Sequence, residues 1–278
     1  MLFGLIAALC FGLSDFMITQ ATRKVQTLPA LLGIQFFASL LLGIFILIQS
    51  PHIDNSSIMA WFGIAGISVI NFIGTLLLYR AFEKGTLSIV SPIGSGFAVV
   101  TAILAFVGGE RLPFNSIIGV ILLIIGVLTV TRSSNHAGQQ VTLSGIPEAI
   151  IASICIGFYF WAIGYITPHL GVIFPVLITR IIQFFCAFVL LRVKKIQLPR
   201  ISLSIGMVLV VAALLDTGAL LSFNMGQAVD YTTSTTALTS LYSVVTILMA
   251  GLILKEKLIK SQWAGIAIIL LGVMIVSI

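Results

Sequence analysis

Of the 278 residues, 59% are hydrophobic and only 8% are charged, and the mean hydropathy is +1.22. A soluble domain carries about 25% charged residues. This chain has too few solvated groups to cover a water-facing surface, which excludes a soluble globular enzyme, a disordered chain and a nucleic-acid-binding protein together.

A membrane-spanning helix needs about 20 apolar residues. Ten apolar blocks follow one another along the chain: 2–20, 29–49, 58–80, 87–107, 113–131, 146–167, 171–191, 203–225, 232–254 and 260–278. Their connections are short and leave no room for an aqueous domain. The first block reads as a retained helix rather than a signal peptide, because its basic pair Arg23-Lys24 follows the apolar run instead of preceding it. The longest connection, Arg132 to Gly145, is polar and central. It divides the chain into 1–131, a loop at 132–145, and 146–278. Cys10, Cys155 and Cys186 all fall inside apolar blocks and read as packing residues. His52, His136 and His169 lie in or near loops, and there is no His-x-x-x-His, no Cys-x-x-Cys and no P-loop. No metal site and no cofactor is expected.

The net charge of +6 comes from fourteen Lys and Arg against eight Asp and Glu. Twelve of the fourteen lie in or at the edges of the connections after blocks one, three, five, seven and nine. Arg111 stands alone on the other side, and Arg180 sits inside block seven. Basic residues mark cytoplasmic loops, so both termini are expected outside a cytoplasmic membrane.

The two halves repeat. Glu110-Arg111-Leu112 recurs as Glu256-Lys257-Leu258 at an offset of 146, which also matches Gly119 with Gly265, Gly126 with Gly272, Val99 with Val245 and Pro29 with Pro175. An offset of 145 matches Cys10 and Gly12 with Cys155 and Gly157, and Asn71 with Asp216. Five blocks per half is an odd number, so the second half must cross the membrane inverted. The charges reverse accordingly: each basic connection of one half has a counterpart poor in Lys and Arg in the other. The expected fold is an all-α polytopic membrane protein of ten transmembrane helices in two inverted five-helix repeats. Such repeats are the architecture of secondary transporters.

These residues resemble the EamA-type transporters of the drug/metabolite transporter superfamily. The resemblance is carried by Gly12-Leu13-Ser14-Asp15-Phe16 in the first block and by the duplicated Glu-Arg/Lys-Leu stretches, with Gly119, Gly126, Gly265 and Gly272 behind them. It implies carriage of a small metabolite, an amino acid, sugar or drug-like compound, without naming one, and it favours export. Asn71 standing opposite Asp216 makes the two halves chemically unequal.

A charge inside the membrane usually faces a cavity or a partner. Asp15, Arg180 and Asp216 are the three charges in the interior of apolar blocks, away from the block ends. At 1.5 Å per residue, Asp216 is roughly 20 Å and Arg180 roughly 14 Å along its helix, both near mid-membrane. Asn71 mirrors Asp216. In the functional reading Arg180 holds an anionic group, while Asp216 or Asp15 binds an amine or carries a coupling proton. The alternative is an Arg–Asp pair that only locks two helices together. Ser91, Ser95, Thr236, Thr239 and Ser243 belong to hydroxyl-rich stretches that either line a wet path or pack closely. Tyr159 and Tyr242 are candidate aromatic walls or core residues. Pro92 removes a helical hydrogen bond, and with Leu238 as its counterpart a kink is expected in one half only.

The expectation is thus a secondary transporter in contact with lipid, a small-molecule substrate and protons, rather than an enzyme. Its rivals are a polytopic membrane enzyme acting on lipid-linked substrates and a channel or scaffold.

Overall fold

A computed structural model describes residues 2–49, 57–109, 114–133, 144–229, 232–255 and 260–276. Within these every regular element is a helix, because lipid offers no partner for an unpaired peptide group and a helix satisfies its own. In chain order the helices are α1 (Leu2–Val25), α2 (Thr27–Gln49), α3 (Ile58–Lys84), α4 (Leu87–Gly94), α5 (Phe97–Val107) and α6 (Phe114–Ser133). They continue with α7 (Ile146–Leu170), α8 (Ile173–Val193), α9 (Leu203–Val229), α10 (Thr232–Thr239), α11 (Tyr242–Ile253) and α12 (Lys260–Val276). Eight segments are long and apolar enough to cross a membrane: α1, α2, α3, the α4–α5 pair, α7, α8, α9 and the α10–α11 pair. Large apolar side chains such as Leu9, Phe45, Phe106, Phe185 and Leu252 are exposed, as a lipid-facing surface requires. Glu110-Arg111-Leu112, Glu256-Lys257-Leu258 and residues 134–143 of the central loop lie outside the described residues.

Helix packing comes in matched sets. α1 packs on α9, and α3 on α7. α1 packs on α11, and α7 on α5. α2 pairs with α8, and α6 with α12. Exchanging α1–α6 with α7–α12 maps each of these contacts onto its mate. Gly119 and Gly126 of α6 and Gly265 and Gly272 of α12 are all buried, in keeping with small residues letting two helices approach.

The match extends to single residues. A Cβ at Gly12 would stand 2.5 Å from Val245 Cβ and 2.8 Å from the Tyr242 carbonyl oxygen. A Cβ at Gly157 would stand 2.6 Å from Val100 Cβ and 2.8 Å from the Phe97 carbonyl oxygen. Here Val245 is the counterpart of Val100 and not of Val99, so the working offset in this part of the fold is 145. Pro92 then matches Ala237, not Leu238.

One expectation is corrected. The helix breaks in both halves, between α4 and α5 and again between α10 and α11, although only the first contains a proline. Both breaks share a serine hydroxyl that turns back on its own helix. Ser95 Oγ donates to the Pro92 carbonyl at 2.7 Å, and Ser240 Oγ donates to the Ala237 carbonyl at 2.6 Å. Both turns tighten to three-residue hydrogen bonds, Gly96 N–H to Ile93 and Leu241 N–H to Leu238.

The two ends of the bundle are built differently. At one end Arg23 donates from Nη2 to the Gly85 carbonyl at 2.9 Å, and Lys84 Nζ lies 3.4 Å from Glu148 Oε1. Glu83 caps the start of α2, accepting from the Thr27 backbone N–H at 2.8 Å and from the Thr27 hydroxyl. At the other end Asn224 Nδ2 donates to the Val172 carbonyl at 3.2 Å, and the Trp61 and Phe174 rings meet edge to face. Gly171 ends α7 with φ of 71°, in the left-handed region that favours glycine.

Candidate functional site

A cavity with about 70 Å³ of free volume lies where the two halves meet. That is room for several waters or a small polar group. All four residues singled out for binding or coupling line it: Asp15 from α1, Asn71 from α3, Arg180 from α8 and Asp216 from α9. Tyr159 of α7 and Tyr242 of α11 line it as well. Each is brought there by a different helix.

Arg180 is 4% exposed, and its Nη1 lies 2.6 Å from Asp216 Oδ2 and 3.3 Å from Gln35 Oε1. The guanidinium therefore joins α8 to both α9 and α2. Its Nε and Nη2 have no hydrogen-bond partner. Asp15 is 6% exposed, and its Oδ2 has no partner. The Tyr79 hydroxyl, on α3, also lines the cavity unpartnered. Unpaired polar atoms are rare in a folded interior. Three side chains with such atoms around one cavity mark it as polar inside an otherwise apolar bundle.

Hydroxyls and amides hold this arrangement in place. Gln183 Nε2 donates to Thr75 Oγ1 at 3.3 Å, and Thr75 donates to the Asn71 carbonyl at 2.9 Å. The Tyr159 hydroxyl and Thr179 Oγ1 are 3.1 Å apart, and Thr179 in turn bonds Ser68 at 2.9 Å. The walls are aromatic. Phe97 stacks on Tyr242 with planes 17° apart, and Phe160 packs on Phe97 with centroids 4.8 Å apart.

The hydroxyls of the fourth and ninth blocks lie elsewhere. Ser91 is buried in α4, and its carbonyl accepts from the Tyr242 hydroxyl at 3.4 Å. Ser95 sits at the α4–α5 break and lines a separate apolar cleft against α6. Thr236 and Thr239 are buried in α10. Ser243 Oγ donates to the Ser240 carbonyl at 3.1 Å, closing the turn between α10 and α11.

Gln35, Thr75, Tyr79 and Gln183 were not singled out from the sequence. The signal was present: uncharged polar residues in blocks that are otherwise apolar, which attention to full charges alone passes over.

A family model described as the EamA-like transporter family matches residues 1–132 and 143–278. An uncharacterized protein of Methanocaldococcus jannaschii is 29% identical over 134 residues, which span 95% of that protein and 47% of this chain. A protein of solved crystal structure aligns over 99% of this chain and 94% of its own, with a TM-score of 0.74 at 13% identity, a likeness of fold.

Proposed function

The chain belongs to the EamA-like transporter family, and from that membership we propose that it is a secondary active transporter carrying a small metabolite across the cytoplasmic membrane by alternating access. One observation carries the reading. The polar cavity is built from α1, α3 and α5 on one side and α7, α8, α9 and α11 on the other, so any movement of one half against the other remakes it.

The proposed architecture is ten spans in two inverted repeats, residues 1–131 and 146–278, joined by the loop at 132–145. The matched helix contacts and the twin breaks support it. So does a relative whose whole length corresponds to about half of this chain. The reversed charge pattern supports the inversion and an orientation with both termini outside. The end of the bundle that gathers Arg23, Lys84 and Glu148 would then face the cytoplasm.

Asp15, Asn71, Arg180 and Asp216 form the proposed binding and coupling set, with Tyr159 and Tyr242 as walls. Coupling to protons and transport in the export direction complete the reading. The test is uptake and counterflow in proteoliposomes loaded with a metabolite extract, with and without a pH gradient. Exchange that the gradient accelerates is the expected result. Vesicles that exchange nothing with either gradient would sink the proposal.

A further inference from the structure

The charges in the cavity do not balance, and this identifies the class of cargo, given the transport reading above. Asp15 and Asp216 bring two carboxylates, and Arg180 brings one guanidinium. Arg180 already faces Asp216 at 2.6 Å and Gln35 at 3.3 Å. Asp15 is left over, 6% exposed with Oδ2 unpartnered. An isolated carboxylate is strongly disfavoured in a low-dielectric interior. The cavity is therefore neutral only when Asp15 holds a proton or faces a cation.

A substrate carboxylate fits poorly. Arg180 Nε and Nη2 could receive it beside Asp216, but it would bring a third negative charge into a site that already has a surplus. An ammonium group matches the charge, and the whole amine, larger than the free volume of about 70 Å³, is admitted only as the two halves move apart. The cavity is walled by rings, among them Phe11, Phe97, Phe160 and Tyr242, and ring faces attract a cation once it is desolvated. We infer that the site takes a singly charged aromatic or similarly apolar amine, and that Asp15 exchanges this cation for a proton.

The exchange balances. As the ammonium enters, the Asp15 carboxyl releases its proton to the aqueous phase then open to the cavity, and the carboxylate left behind pairs with the cation. When the amine leaves, Asp15 takes a proton from the phase that receives the amine. The cavity is neutral in both states, and one amine moves against one proton. The charged or titratable groups facing Asp15 across the cavity are Asp216 of α9, Tyr79 of α3, Tyr242 of α11, Tyr159 of α7 and Arg180 of α8. α2 and α10, which also pack on α1, bring none among the described residues lining the cavity.

The experiment uses three probes that share a ring and differ in charge: phenethylamine, phenylalanine and 3-phenylpropionate. Each is titrated into the purified full-length protein in weak buffer while proton release is followed. Phenethylamine is expected to bind preferentially and to release one proton per molecule bound. Asp15→Asn should abolish the release and weaken amine binding by about tenfold or more. Asp15→Glu should keep both, which separates a role for the carboxyl from a folding defect. Preference for phenylalanine or phenylpropionate overturns the inference. So does amine binding without proton release, release on adding sodium chloride alone, or undiminished amine binding by a monodisperse Asp15→Asn protein. Metabolite counterflow keeps the two levels apart: exchange without amine binding overturns this inference alone, whereas no exchange at all overturns the transport reading beneath it.

Discussion

Thr101 Oγ1 donates a hydrogen bond to the Gly157 carbonyl at 2.9 Å, tying α5 to α7. Its counterpart 145 residues on, Thr246, shares its hydroxyl between the Tyr242 carbonyl of its own helix at 2.9 Å and the Gly12 carbonyl of α1 at 3.3 Å. Both bonds need the close approach that the two glycines allow. Gly12→Ala and Gly157→Ala each drive a Cβ into a valine Cβ and a backbone oxygen. Overpacking of this kind costs about 1–3 kcal/mol. Thermal unfolding in detergent should show similar losses for the two variants. Gly43→Ala and Gly66→Ala, where a Cβ meets nothing within 4 Å, should be neutral or stabilising by up to about 1 kcal/mol through helix propensity. Equal melting of all four variants would mean that the α1–α11 and α5–α7 contacts are looser than the structure has them.

The Arg180–Asp216 pair gives a second prediction. Removing one member of a buried ion pair leaves the other uncompensated, and the loss is about 3–5 kcal/mol. Asp216→Asn should therefore melt well below the parent protein. Combining it with Arg180→Gln removes the orphaned charge and should recover much of the loss. Transport should fail in both. If Asp216→Asn alone melts like the parent, the pair is not what holds α8 to α9.

The sequence made the spans legible because lipid demands long apolar runs and polar punctuation, and α2, α3 and α8 start or end within a few residues of their expected positions. Asp15, Arg180, Asp216 and Asn71 were legible for the same reason, since a polar group in an apolar run stands out. What stayed hidden was pairing. That Arg180 pairs with Asp216 while Asp15 Oδ2 is left without a hydrogen-bond partner depends on helix rotation, which an almost uniformly apolar helix does not encode in its periodicity. The second helix break was hidden too. Proline announces a break in any sequence, whereas the α10–α11 break has none and shows only in the turn where the Ser240 hydroxyl meets the Ala237 carbonyl.

A break that forms without proline in the second half predicts that Pro92 is dispensable in the first. Pro92→Ala restores an N–H but leaves Ser95, Gly94 and Gly96 in place, and the α10–α11 break forms with no proline. Pro92→Ala should retain transport within a few-fold of the parent. The double variant Ser95→Ala, Ser240→Ala removes both back-bonds and should slow transport more than Pro92→Ala does. Counterflow rates on matched protein amounts decide between them, and the reverse order would return the break to the proline.

The last prediction concerns orientation. The contacts put Arg23, Gly85, Lys84 and Glu148 at one end of the bundle and Val172, Asn224, Trp61 and Phe174 at the other. Among the described residues the basic connections map to the first end, and the positive-inside tendency predicts that this end faces the cytoplasm. His169 and Lys195 are both exposed and close the two ends of the α7–α8 hairpin. With Cys10, Cys155 and Cys186 replaced by alanine, a single cysteine at His169→Cys should react with a membrane-impermeant maleimide on intact cells. A single cysteine at Lys195→Cys should react only after permeabilisation. The opposite pattern would invert the whole molecule. The exchange at Asp15 would still be allowed, but the side to which the amine is delivered would be reversed.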